Sequence, residues 1–81
     1  MKKVLVTGGA GNIGLSLIDS LISAKIETVL FDLPEQIEVS RNRINSNTET
    51  FQGSILDQSK LNQAVKGCTH VVHLAAVLGV Q

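Results

Sequence analysis

Eight consecutive residues constrain this chain more than any others: Thr7-Gly8-Gly9-Ala10-Gly11-Asn12-Ile13-Gly14. A short apolar run, Val4-Leu5-Val6, precedes them, and Leu15–Ala24, with apolar residues at helical spacing, follows. Glycines 8, 11 and 14 therefore recur every third residue across a strand-to-helix turn. Such a turn makes three demands that a side chain would obstruct. The chain must leave the strand sharply, a pyrophosphate must approach the backbone, and the helix must pack close to the sheet. The helix start then presents free N–H groups and the positive end of its dipole to a phosphate. No Gly-Lys-Ser/Thr follows, which argues against a nucleoside-triphosphate loop.

The rest of the chain alternates strand and helix patterns around that turn. Lys2–Val6 reads as a strand covered on both faces. Residues 12–25 read as a helix with Leu17, Ile18, Leu21 and Ile22 on one face and Lys25 at its negative end. Thr28–Phe31 is a second strand, ended by Asp32 and stopped by Leu33-Pro34. A short helix is expected over roughly 36–43, although Ile37, Val39 and Ile44 share no clean face; Asn42, Asn45, Ser46 and Asn47 then read as loop. Glu49–Gln52 is a third strand, closed by Gly53. Asp57 caps a helix over about 58–66 whose face is Leu61, Ala64 and Val65, and Gly67 stands where a left-handed residue is wanted. Thr69–Leu74 is a fourth strand, and Ala75–Gln81 begins a loop.

This order predicts an α/β fold with a parallel sheet and right-handed crossovers, of Rossmann type, with strand order 3-2-1-4. Ligands bind outside the carboxyl ends of the strands where the strand order reverses. Gly8–Gly14, Asp32, Ser54-Ile55 and Ala75-Ala76 all fall at those ends, so four separated segments converge on one crevice. The chain reads as one unit over 1–81, with no repeat or linker.

Composition narrows the partners. Seven Lys+Arg balance seven Asp+Glu, which argues against nucleic acid or an anionic membrane. No apolar run approaches the ~20 residues of a membrane span, and the glycine turn cuts short any signal-like start after Met1-Lys2-Lys3. The single cysteine, Cys68, excludes an internal disulfide and reads as a small buried filler. A cytoplasmic location is the expectation. His and Asp lack metal-ligand spacing, so no metal is predicted.

Asp32 stands 18 residues beyond Gly14. A carboxylate there accepts hydrogen bonds from the ribose hydroxyls of an adenosine and repels a 2′-phosphate, which favours NAD over NADP. Arg41 and Arg43 keep NADP as the lesser alternative. Ser54 and Ile55 suit contact with adenine, whereas Asp57 is better explained as a helix cap. His73, inside Val71-Val72-His73-Leu74, reads as a structural residue, and His70 as an exposed one at the strand entry.

These motifs resemble the extended short-chain dehydrogenase/reductase family, the NAD-dependent epimerase/dehydratase group. Val6–Gly14 is similar to its cofactor fingerprint, and Asp32 matches the acidic residue after the second strand. Gln52-Gly53-Ser54-Ile55-Leu56-Asp57 is similar to the family's Gly-Asp-Ile/Leu-x-Asp, with Ser54 in place of Asp. His73-Leu74-Ala75-Ala76 matches His-Leu-Ala-Ala at the end of the fourth strand. The resemblance covers essentially the whole chain. It implies that Gly8, Gly11, Asn12, Ile13 and Gly14 meet a pyrophosphate, Asp32 and Leu33 the adenosine ribose, and Ser54 and Ile55 the adenine. Leu74, Ala75 and Ala76 are implied to lie along the nicotinamide.

The family's catalytic Tyr-x-x-x-Lys is missing, since the chain has no Tyr. The resemblance thus implies the N-terminal, NAD-binding portion of an epimerase, dehydratase or reductase acting on a sugar nucleotide or a similar substrate, inactive in these 81 residues alone. A non-catalytic dinucleotide sensor and an inactive truncated fragment are the alternatives. The strand at 70–76 would be an apolar edge, calling for a second copy or the remainder of a parent chain to cover it.

Overall fold

The computed structural model describes residues 2–74. Ala75 and Ala76, implied above to line the nicotinamide side, lie outside the described residues. In order the elements are β1 (Lys3–Thr7), α1 (Asn12–Ser23), β2 (Glu27–Asp32), α2 (Pro34–Val39), a 3-10 turn (Arg41–Arg43), β3 (Glu49–Gln52), α3 (Gln58–Ala64) and β4 (His70–His73). The four strands form one parallel sheet in the order β3-β2-β1-β4, as the alternation of patterns predicts. Lys3–Thr7 pairs with Glu27–Phe31 on one side, and Val4–Thr7 with His70–His73 on the other.

The middles of the central strands, Val4–Val6 and Val29–Phe31, are apolar because helices cover both faces. On one face Val4, Val6 and Leu30 pack with Ala10, Leu15, Ile18 and Ile37, bringing in α1 and α2. On the other Leu5, Val29 and Phe31 pack with Ala64 and, around it, Leu61, Val65 and Cys68 from the α3 region. Phe51 of β3 stacks on Phe31, ring centroids 5.9 Å apart. Cys68 is half-buried in this second cluster, and burial pushes its thiol pKa up.

Two helix boundaries differ instructively from the sequence expectation. The first helix stops at Ser23 rather than at residue 25. Lys25 adopts φ 62°, its N–H donates to Ile22 O at 2.8 Å, and the Ile26 N–H donates to Leu21 O at 2.9 Å. These paired bonds are a Schellman closure, with a lysine in the left-handed place usually held by glycine. The second helix begins two residues before the expected 36–43 and ends at Val39. Pro34 does not merely stop β2. It occupies the first turn of α2, where its fixed φ suits the helix and its missing N–H needs no partner. Ile37 is the buried residue of this short helix, while Val39 is 84% exposed, which explains why no clean apolar face is visible in the sequence.

The third helix ends at Ala64, two residues before the expected limit. Asp57 caps it, its Oδ1 accepting from the Lys60 N–H at 3.1 Å, and Gly67 takes φ 80° just beyond it.

Candidate functional site

The glycine segment leaves β1 through Gly8 at φ 71°, a conformation that a side chain would strain. The Gly8 N–H donates to Phe31 O at 2.8 Å, so the turn hangs on the end of β2. Gly14 solves a different problem. A Cβ there would stand 2.5 Å from Gly8 O and 2.6 Å from Gly9 Cα, so the first turn of α1 rests directly on the loop backbone. At Gly11 a Cβ would meet only Gly8 O, at an ordinary contact distance of 3.5 Å. Two of the roles expected of the triad thus fall on separate residues. Gly8 makes the turn and Gly14 allows close packing.

Gly9 was not singled out in the sequence, yet it is as constrained as its neighbours. A Cβ at Gly9 would lie 2.7 Å from Leu30 Cγ and 3.0 Å from Ile18 Cδ1. The signal that could have found it is its position: the second residue after a buried strand, facing the next strand's buried Leu30.

Gly11 is the N-cap of α1 and makes no side-chain cap, and the first turn of α1 holds no acidic residue. Among the described residues no side-chain hydrogen bond caps the first N–H groups of this 12-residue helix. A cleft of about 410 Å³ lies against them, lined by Gly8, Gly11, Asn12, Ile13, Gly14 and Leu74. Ile13 is 74% exposed. The positive helix end, the small glycine surface and an apolar side chain together suit an anion joined to a flat apolar group.

Asp32 ends β2 beside this loop. Its Oδ2 accepts from the Ala10 N–H at 3.0 Å, and its Oδ1 accepts from the Leu33 N–H at 2.8 Å. Each oxygen retains a second lone pair, so the carboxylate is oriented by the backbone and still able to accept two further hydrogen bonds. Leu33 is 40% exposed next to it. Beyond β3, the Ser54 Oγ accepts from the Leu56 N–H at 3.1 Å, which orients the hydroxyl and leaves its proton to donate elsewhere. Ile55 is half-buried, packed against the α3-side cluster. The expected site residues from Gly8 to Leu74 therefore all lie at the carboxyl ends of β1, β2, β3 and β4.

Arg41 pairs with Glu38 in an exposed contact one turn away. Its Nη2 and Nε both donate to Glu38 Oε1, at 2.9 and 3.2 Å, and that carboxylate pushes the guanidinium pKa up. His73 Nδ1 lies 2.7 Å from Thr7 Oγ1, joining the ends of β4 and β1, in keeping with a structural role. His70 is exposed at the start of β4, its Nδ1 2.8 Å from Thr69 Oγ1.

The family comparison matches residues 5–81 to the 3-beta hydroxysteroid dehydrogenase/isomerase family. The chain belongs to this family. It is thereby a member of the short-chain dehydrogenase/reductases that its motifs resemble. Sterol-4-alpha-carboxylate 3-dehydrogenase, decarboxylating, of Dictyostelium discoideum is 34% identical over 80 residues, covering 96% of this chain and 23% of the relative. UDP-glucose 4-epimerase of Thermotoga maritima, solved with UDP-glucose, superposes with a TM-score of 0.80 at 31% identity over 94% of this chain and 25% of the epimerase. UDP-glucose 4-epimerase of Thermus thermophilus, solved with NAD, gives a TM-score of 0.76 at 29% identity over 93% of this chain and 24% of the epimerase. The chain thus spans about a quarter of the length of the family relatives it matches. No helix among the described residues is long and apolar enough to cross a membrane.

Proposed function

We propose that this chain is the NAD-binding part of a family dehydrogenase, epimerase or decarboxylase. The observation that carries the reading is the pairing of an uncapped α1 N-terminus on the cleft with a backbone-oriented Asp32 carboxylate at the adjacent strand end. A dinucleotide needs both features at once: donors for its pyrophosphate and an acceptor pair for its adenosine ribose. The residues fit the group. A Cβ at Gly14 would collide with the loop, and Gly11, Asn12 and Ile13 line the cleft.

In this reading Gly8, Gly11, Asn12, Ile13 and Gly14 hold the pyrophosphate. Asp32 takes the adenosine ribose hydroxyls beside Leu33, Ser54 donates to the adenine with Ile55 packed below, and Leu74 with Ala75 and Ala76 flanks the nicotinamide. NAD is preferred over NADP, since a 2′-phosphate would meet the Asp32 charge, while the exposed Arg41 and Arg43 are what favours the lesser alternative. The bound dinucleotide supplies hydride transfer. The chain's own residues bind it, orient it and exclude water from one side. The substrate is a secondary alcohol or its ketone on a larger scaffold, for which the relatives' sugar nucleotides and sterols are the precedents. The groups that handle its proton are not among these 81 residues, which contain no Tyr.

Calorimetric titration of the protein with NAD, NADP and ADP-ribose tests the reading. NAD and ADP-ribose are expected to bind with similar affinity, and NADP at least about tenfold more weakly, the weight of one unfavourable charge contact of about 1.4 kcal/mol. A folded protein that binds none of the three would overturn it.

A further inference from the structure

The two peptide groups that flank the Ala10 Cα are each held by a residue far away in sequence. The Ala10 N–H donates to Asp32 Oδ2 at 3.0 Å. Its carbonyl accepts from the Ser40 hydroxyl at 2.7 Å, across 30 residues, in a buried contact. Ala10 is 2% exposed and Ser40 6% exposed, so water does not compete for this bond. The other loop bonds, from Gly8 and Gly9 to Phe31 O and from Gly11 to Gly8 O, leave from the β2 side or stay within the loop. Ser40 is the polar anchor from the opposite side. It is itself placed firmly: it is the C-cap of α2, its N–H donates to Gln36 O at 3.1 Å, and Ile37 one turn earlier is buried against Ala10 in the same cluster.

We infer that Ser40 is a positioning residue for dinucleotide binding, fixing the Ala10–Gly11 peptide at the entry to α1 so that the Asn12 and Ile13 N–H groups face the cleft. The inference rests on the function proposed above. Its physical content is a population argument. With the Ser40 bond broken, the loop samples orientations of that peptide in which Asn12 and Ile13 are turned away, and apparent affinity falls by the fraction that stays competent. Because the Ala10 N–H also donates to Asp32, the same residue links the pyrophosphate end of the site to the ribose end.

The test measures NAD and ADP-ribose affinity of the full protein and of its Ser40→Ala, Ser40→Cys and Ser40→Thr variants, well below each variant's unfolding temperature. Ser40→Ala is expected to weaken both ligands by about tenfold, the fold-change of one buried hydrogen bond. Ser40→Cys keeps the shape with a weaker donor, so it guards against a loss of folding in Ser40→Ala and should fall in between. Ser40→Thr restores the hydroxyl and should recover most of the affinity. A folded Ser40→Ala or Ser40→Cys with unchanged affinity overturns the inference. So does a Ser40→Thr as weak as Ser40→Ala, which would assign the effect to packing. Failure of the unmodified protein to bind NAD would instead sink the function proposed above.

Discussion

At the carboxyl end of the sheet backbone packs directly on backbone, whereas at the amino end the backbone hydrogen bonds are joined by long charged side chains in water. Gly14 lies against Gly8 and Gly9, Asp32 and Ser40 hold the N–H and the carbonyl of Ala10, and little there can move without something else moving. At the opposite end Lys3 Nζ stands 3.5 Å from Glu49 and 3.7 Å from Glu27, across the first residues of β1, β2 and β3, with both glutamates well exposed. Such pairs are loosely held and screened by salt. The difference teaches where sequence identity matters in this fold. The end that is proposed to bind a ligand excludes side chains at particular atoms, whereas the exposed charges of the other end need only be compatible with one another.

The sharpest way to break this comparison is Gly14→Ala. The new Cβ would fall within 2.6 Å of loop backbone that has nowhere to retreat, so a loss of about 3 kcal/mol in urea unfolding is expected, together with loss of NAD binding. A Gly14→Ala protein with native stability would show that the loop is softer than its contacts imply. Asp32→Ala comes next. It strips the acceptor from the Ala10 N–H and is expected to cost about 1–3 kcal/mol in stability. Its effect on NAD affinity should exceed that on NADP, which narrows or reverses the preference between them.

The amino end offers a change in the favourable direction. Lys25→Gly removes a left-handed lysine while leaving both closing bonds of α1 in place, and should stabilise the protein by about 1 kcal/mol in thermal unfolding, with NAD affinity untouched. The smallest effect is expected of Lys3→Met, with no resolvable shift in the urea midpoint at neutral pH and moderate salt. Glu49, then Glu27, raises the Lys3 pKa above its ordinary value of 10.5. Whatever the lysine contributes is therefore fully present at neutral pH and fades only as pH rises through that raised value. A midpoint gap between Lys3→Met and the unmodified protein that widens toward high pH would contradict this sign.

Much of the fold was legible because its signals are local. The apolar runs at Val4–Val6 and Thr28–Phe31, the Asp57 cap and the glycine spacing each report on a few neighbouring residues, and alternation of strand and helix then restricts the topology to a few parallel arrangements. The segment from Pro34 to Arg43 was not legible in detail, because only Ile37 faces the core and a six-residue helix shows no period. The candidate site divides in the same way. Gly8, Gly14 and Asp32 are visible from motif spacing, while Gly9 and Ser40 matter only through Leu30 and Ala10, 21 and 30 residues away.

By itself, then, the order of residues determined a parallel α/β sheet, a glycine turn between its first strand and first helix and a carboxylate at the next strand end, since backbone sterics and hydrophobic periodicity act over short distances along the chain. Only the tertiary structure decided which glycine does what, that Pro34 starts a helix, that Arg41 pairs with Glu38 and that Ser40 anchors the loop. Those assignments depend on which atoms meet across the sheet, and a distance of 2.7 Å between residues 10 and 40 has no trace in their spacing.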